Sequence, residues 1–99
     1  MNQNDPPTEH ILACLSSSPS NAKIVRTAAT MAKAFGGTFT ALYVRTPDSD
    51  QMGKEDCRRL QQHIRMAEQA GADISTIYGD DIPQQIAEFA RISGITKIV

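Results

Sequence analysis

Four short segments rich in apolar and β-branched residues alternate along this chain with three longer segments whose apolar residues recur at helical spacing. This alternation predicts the order β-α-β-α-β-α-β, which is typical of an open parallel sheet with right-handed crossovers. We therefore predict an α/β fold in one domain, because 99 residues suffice for a single core. The predicted strands are residues 10–15, 38–45, 72–78 and 95–99.

The segments between these strands carry helix signals. A first helix is predicted over residues 20–35, ending at the left-handed stop Gly36-Gly37. A second, amphipathic helix follows the polar loop of residues 46–52, and a third carries Pro83 in its first turn. The residues expected to face inward are Ile24, Ala28, Met31, Ala32 and Phe35 in the first helix, Cys57, Leu60, Ile64, Ala67 and Gly71 in the second, and Ile82, Ile86, Phe89 and Ala90 in the third.

Composition and charge argue against two classes of function. Ten Lys and Arg residues stand against eleven Asp and Glu, for a net charge of -1, and Trp is absent, so nucleic acid is not an expected partner. No apolar run approaches the roughly 20 residues that a membrane span requires. We expect a cytosolic piece that is not inserted in a membrane, although it could be cut from a membrane protein.

The domain limits follow from the two ends of the chain. Residues 1–8 are polar and contain Pro6 and Pro7, which predicts a disordered leader or linker before a domain of residues 9–99. The chain stops in or at the end of the fourth predicted strand. We therefore expect a fragment that lacks its C-terminal strand and helix.

No catalytic constellation is apparent among the cysteines and histidines. Cys14 and Cys57 lie in predicted regular elements without CxxC spacing, so we expect reduced thiols. His10 and His63 have no partner evident in the sequence, and a lone His is normally structural. We predict no catalytic residue.

Metal and phosphate motifs are missing as well. The adjacent acids Asp80 and Asp81 stand at a helix start, where they favour the helix dipole and offer too few oxygen ligands for a hard cation. Neither GxGxxG nor a Walker-type GxxxxGK[ST] run occurs. We therefore predict no metal site and no phosphate transfer.

A serine run follows the first predicted strand and is a candidate binding site. Ligands of open α/β sheets bind beyond the carboxyl ends of the strands, where the strand order reverses. Hydroxyl and backbone N–H groups at a helix start can hold an anion or a nucleotide edge, so Ser16 to Ser18 qualifies. Ordinary helix capping by Ser18 or Ser20 explains the same serines. The residues alone leave the two interpretations open.

The carboxyl end of the second predicted strand is another candidate. Tyr43 and Arg45 share a face with Phe39 and Ala41, because side chains alternate along a strand. This face combines aromatic rings with a guanidinium and could receive a purine. Core packing is the alternative for Phe39 and Tyr43, although a Tyr at a strand end often keeps a solvated hydroxyl.

Four segments carry a resemblance to a known family. They read HILACLSSSPSNAKIVRTAATMAKAFG, TFTALYVRTP, GDDIPQQIAEFAR and ITKIV, and together they cover most of residues 10–99. On these segments the chain resembles the universal-stress-protein-like (Usp) domain in the cytoplasmic region of osmosensitive potassium-transport sensor histidine kinases. The resemblance implies a Rossmann-like, adenine-nucleotide-alpha-hydrolase-like fold in a non-catalytic domain of a membrane-anchored bacterial two-component sensor kinase.

The chain departs from free-standing universal stress proteins at two places. Those proteins usually have an Asp in a V-D-x-S pattern after the first strand and a Gly-rich G-x2-G-x9-G-[ST] loop after the fourth. This chain has Cys14-Leu15-Ser16 in place of the first and ends before the second. These departures argue against ATP as the ligand.

Another nucleotide fits the resemblance better. Some sensors of this branch bind cyclic di-AMP through S-x-S, twenty intervening residues and F-T-A-x-Y, and this chain has both motifs at that spacing. The resemblance thus implies cyclic di-AMP as regulatory ligand and no resident cofactor. The implied ligand-binding residues are Ser16, Ser18, Phe39, Thr40, Ala41 and Tyr43.

The expected function is nucleotide sensing in a kinase that responds to potassium or osmotic stress. One alternative is a scaffold without a small-molecule ligand, which docks other universal stress proteins or other domains of the parent kinase. An ATP-binding universal stress domain is another. A homodimer formed through the fourth strand is a further possible partnership, because an exposed strand edge invites pairing.

Overall fold

A computed structural model of the chain describes residues 9–99, so the leader predicted for residues 1–8 lies outside the described residues. The described part alternates strands and helices as predicted. The strands are β1 (His10–Cys14), β2 (Thr38–Arg45), β3 (Asp73–Tyr78) and β4 (Lys97–Ile98). The α-helices are α1 (Asn21–Phe35), α2 (Lys54–Gln69) and α3 (Ile82–Ile92), and a 3-10 helix spans Pro47–Gln51.

The four strands form one parallel sheet in the order β3-β2-β1-β4. The chain first moves outward from β1 through β2 to β3, and then returns to place β4 on the other side of β1. The strand order therefore reverses at β1. The loop that follows β1 lies at this switch point, where parallel α/β sheets bind their ligands. The predicted α/β class and parallel sheet are confirmed.

Two apolar clusters lie on the two faces of the sheet. One joins Ile11, Ala13 and Phe39 to the buried sides of α1 and α2. The other joins Leu12 and Leu42 to α3. Because β1 and β2 contribute to both clusters, these central strands are covered by helices on both faces, as the apolar residues on both parities of β2 predicted.

Local details differ from the prediction at the ends of elements. The polar loop after β2 contains the 3-10 helix because the Thr46 hydroxyl accepts from the Ser49 N–H, and the Ser49 hydroxyl accepts from the Thr46 N–H. Strand β4 has two paired residues rather than five, because the Ile95 N–H donates to the Ala90 carbonyl of α3 at 2.9 Å instead of joining the sheet. Gly36 has φ 64°, the left-handed conformation predicted at the end of α1.

Four residues predicted to face inward are exposed, namely Phe35, Cys57, Gly71 and Ile82. Phe35 and Gly71 lie at or beyond the ends of their helices, where the sheet no longer covers them. Cys57 is exposed, because it lies in the first turn of α2, and His63 instead is buried on the stripe with Leu60 and Ala67. Ile82, the first residue of α3, is 43% exposed. Within residues 9–99, no helix combines the length and apolarity needed to cross a membrane.

Candidate functional site

A cavity of about 500 Å³ opens at the carboxyl edge of the sheet, between the ends of β1 and β2. Its lining combines Ser16 and Ser17 with the Tyr43 side of β2 and with apolar residues of α3, Ile82 and Ile86. The volume is in the range of about 300–1,000 Å³ found for small-molecule sites. Hydroxyl groups on one side and apolar surface on the other suit an amphipathic ligand such as a nucleotide.

The loop after β1, which we call the serine loop (residues 15–20), is held at its base by Asn21. This residue is 2% exposed at the start of α1. Its Nδ2 donates to the Cys14 carbonyl at 2.8 Å, and its Oδ1 accepts from the Ser16 N–H at 3.1 Å. Asn21 therefore joins the end of the strand to the beginning of the loop. Sequence reasoning missed this role, although an Asn directly after a serine run is a signal for it.

The serine hydroxyls bond within the loop and leave the end of α1 without a side-chain cap. Ser16 Oγ accepts from the Ser18 N–H at 3.2 Å, and the hydroxyls of Ser18 and Ser20 lie 2.9 Å apart. Ser20 occupies the N-cap position, but no described side chain caps the helix there, and its first turn contains no acidic residue. Capping by Ser20 is thus not observed. Backbone carbonyls take this place in part, because the Asn21 N–H donates to the Ser18 carbonyl at 3.0 Å and the Lys23 N–H to the Ser20 carbonyl at 3.2 Å. No acidic side chain of the first turn offsets the positive end of the helix dipole.

Helix α2 holds the serine loop from the other side. The buried His63 places Nδ1 2.7 Å from the Ser16 carbonyl, and Arg59 donates from Nη1 to the Ser17 carbonyl at 3.0 Å. A carbonyl only accepts, so Nδ1 of His63 carries the hydrogen. Arg59 also pairs with Asp56 at 3.2 Å.

The sequence contained a partial signal for these α2 contacts. His63 stands on the apolar stripe of its helix between Leu60 and Ala67, and a polar group on a buried face requires a partner. The partner lies 47 residues away, and that of Arg59 lies 42 residues away. Helical periodicity cannot identify contacts at such separations.

Strand β2 contributes one predicted residue to the cavity. Tyr43 is half-buried and lines it, together with the loop residue Ser16. Phe39 and Ala41 are 5% and 0% exposed and pack in the core between the sheet and the helices α1 and α2. Thr40 lies on the opposite face of the strand, because successive side chains alternate.

The six predicted binding residues are therefore only partly brought together. Ser16 and Tyr43 share the cavity, and Ser18 is exposed in the same serine loop. Phe39 borders a separate cavity of about 610 Å³ at the amino edge of the sheet. Arg45, which was predicted to share a strand face with Tyr43, forms an ion pair with Asp50 at 2.7 Å.

The cavity lining also contains the Cys14 thiol. Burial raises the pKa of the Cys14 thiol, which keeps this thiol neutral at ordinary pH. Among residues 9–99, no three His, Cys, Asp or Glu side chains come together as metal ligands, and Cys14 and Cys57 are both free.

Known sequences similar to this chain belong to one family. The sequence model described as "Universal stress protein family" matches residues 7–99. The chain is 39% identical over 92 residues to the sensor protein KdpD of Clostridium acetobutylicum, and 28% identical over 89 residues to the sensor protein KdpD of Escherichia coli. These matches cover 93% and 90% of this chain but 10% of each relative, so the chain spans about a tenth of their length.

Solved structures share the fold. A universal stress protein in complex with cAMP superposes with a TM-score of 0.70 at 16% identity, over 94% of this chain and 71% of that protein. The universal stress protein of Archaeoglobus fulgidus in complex with dAMP gives 0.57 at 19% identity, over 93% and 78%. The fold and the resemblance inferred from the sequence are both confirmed.

Proposed function

The chain belongs to the universal stress protein family, and we propose that it is the cytoplasmic nucleotide-sensing domain of a KdpD-type sensor histidine kinase that responds to potassium or osmotic stress. Its similarity to two KdpD proteins over at least 90% of its length supports this assignment. The parent kinase carries out the catalysis in this proposal. The domain contributes the ligand-dependent signal.

We further propose cyclic di-AMP as the ligand. The observation that carries this proposal is that Ser16 and Tyr43 line one cavity of about 500 Å³ beside the uncapped end of α1. Phosphate oxygens accept from serine hydroxyls and are attracted by the positive end of a helix dipole, and an adenine ring can stack on a tyrosine. Two structurally similar universal stress proteins hold the adenine nucleotides cAMP and dAMP.

In this proposal, three of the six motif residues contact the ligand and the other three support the strand. Ser16 and Ser18 bond the phosphate or a purine edge, and Tyr43 contacts an adenine. Phe39, Thr40 and Ala41 hold β2 in the position that presents Tyr43.

Residue 14 argues against the mode of ATP binding that uses an Asp at this position. Cys14 stands where the Asp of the V-D-x-S pattern is expected, and it lines the cavity. A neutral thiol cannot provide the anionic acceptor that a carboxylate offers to a base or ribose.

Calorimetric titration of the protein with cyclic di-AMP, ATP and cAMP tests the proposal. We expect cyclic di-AMP to bind most tightly, and Ser16→Ala and Tyr43→Ala to weaken its binding about tenfold each, the loss of about one hydrogen bond or one stacking contact. Tyr78→Ala is a matched control, because Tyr78 ends the neighbouring strand β3 but lies outside the cavity lining. Equal affinity in the Tyr43 and Tyr78 variants would reject the proposed site.

A docking domain without a small-molecule ligand is the second candidate. It is favoured by exposed apolar side chains at the end of α3 and on the edge strand β4, where Ile92 is 72% exposed and Ile98 is 56% exposed. Partners of this surface would be other kinase domains, other universal stress proteins or a second copy of the chain. The absence of heat with every nucleotide, combined with concentration-dependent association in sedimentation, would favour this function.

A further inference from the structure

The backbone carbonyls of the serine loop and its hydroxyls serve different purposes. The carbonyls of Ser16 and Ser17 accept hydrogen bonds from His63 and Arg59, both of which belong to α2. The hydroxyl groups of the loop bond only within residues 16–20 in the described structure. A ligand can therefore use the hydroxyls without displacing the contacts from α2.

These two contacts differ from the other polar interactions of α2. Arg58 also pairs with an acid three residues earlier, Glu55, at 2.8 Å, but its bonds remain within the helix. Arg59 has a similar pair with Asp56 and in addition reaches the serine loop. The Arg59 side chain is 32% exposed against 66% for Arg58, which reflects its position between helix and loop.

We infer that His63 and Arg59 are positioning residues that set the geometry of the serine loop and couple its occupancy to helix α2. Each carbonyl is coplanar with the N–H of the next residue, so two donors from one helix fix the directions of the Ser17 and Ser18 N–H groups. Because coupling is reciprocal, a ligand that stabilises this loop conformation also stabilises the position of α2. Helix α2 is then the element through which the domain reports a bound ligand.

The first test needs no ligand. The N–H groups of Ser16 and Ser18 both donate to side chains, so their hydrogen exchange measured by NMR reports the order of the loop. We expect Arg59→Met to accelerate exchange of both amides about fivefold, a typical consequence of losing one partly exposed hydrogen bond. Arg58→Met is the matched control, because it removes an equivalent i,i+3 ion pair without touching the loop. Equal exchange in the two variants would overturn the inference.

His63 allows a test of the donor itself. His63→Leu removes the N–H donor while keeping apolar bulk, and His63→Asn places an amide N–H near the position of Nδ1. We expect faster exchange at Ser16 in His63→Leu and recovery of most of the protection in His63→Asn. A purely packing role for His63 predicts the reverse order, because Leu fills the buried site better than Asn.

The coupling to α2 rests on the proposed nucleotide binding and has its own readout. We expect saturating cyclic di-AMP to slow hydrogen exchange of the amides in residues 54–63, and to slow it less in Arg59→Met than in Arg58→Met. We also expect it to bind Arg59→Met about fivefold more weakly than the unmodified protein. If the unmodified protein binds no cyclic di-AMP, the proposed function fails while the exchange of the Ser16 and Ser18 amides still decides the positioning role. Binding with no change in α2 would reject the coupling alone.

Discussion

The two halves of the proposed site are held in place by different forces. The serine loop is positioned by side-chain hydrogen bonds that reach it from Asn21 of α1 and from His63 and Arg59 of α2. The β2 half, which begins at the buried Phe39, is positioned by burial and by strand pairing on both sides. Polar contacts specify a local geometry, whereas apolar burial supplies stability. The two motif halves should therefore respond differently to substitution.

Phe39→Ala tests the β2 half and has the largest expected effect. Phe39 is 5% exposed, and its truncation should lower the free energy of unfolding by about 3–5 kcal/mol, as for buried aromatic residues in general. Urea denaturation measures this loss. Phe35→Ala is the control, because Phe35 is 51% exposed. Its ring centroid lies 5.5 Å from the Lys97 ammonium. Similar losses for both would mean that Phe39 is not a core residue.

The fold was largely predictable because its signals are local. The bounds of β2 were predicted correctly, since apolar residues on both parities mark a strand covered on both faces and Gly36 ends the preceding helix. Strand β4 was predicted too long, because the Ile95 N–H bonds to the end of α3 rather than to the sheet. Such limits depend on contacts with other elements, which the segment itself does not encode.

The site was predictable only in part for a related reason. Strand periodicity places Phe39, Ala41 and Tyr43 on one face, but it does not tell where along that face the cavity opens. Only Tyr43 is far enough toward the carboxyl end to line it. The loop contact of His63 depends on how α2 packs beside the loop, so its place on the apolar stripe indicates that it needs a polar partner but not which partner.

Alkylation of the two cysteines tests the serine-loop half of the proposed site. Burial raises the pKa of Cys14, so its thiolate fraction at a given pH is lower than that of an ordinary thiol and rises only at higher pH. We expect iodoacetamide at pH 8 to alkylate Cys14 about tenfold more slowly than the exposed Cys57, by peptide mass spectrometry. Cyclic di-AMP in the cavity should slow Cys14 further and leave Cys57 unchanged, whereas equal protection of both would place the ligand elsewhere.

Ser20→Ala has the smallest expected effect and tests whether Ser20 caps helix α1. An ordinary N-cap serine contributes about 1 kcal/mol, but the Ser20 hydroxyl bonds to Ser18 rather than to the helix, so we expect a loss of less than about 0.5 kcal/mol in urea denaturation. Asp81→Ala is the matched control, because Asp81 caps α3 by accepting from the Gln84 N–H at 3.2 Å and should lose about 1 kcal/mol. If Ser20→Ala costs as much as Asp81→Ala, the serines stabilise α1. If it costs less, the Ser20 hydroxyl does not stabilise α1, which is the pattern expected of a hydroxyl that serves a binding site.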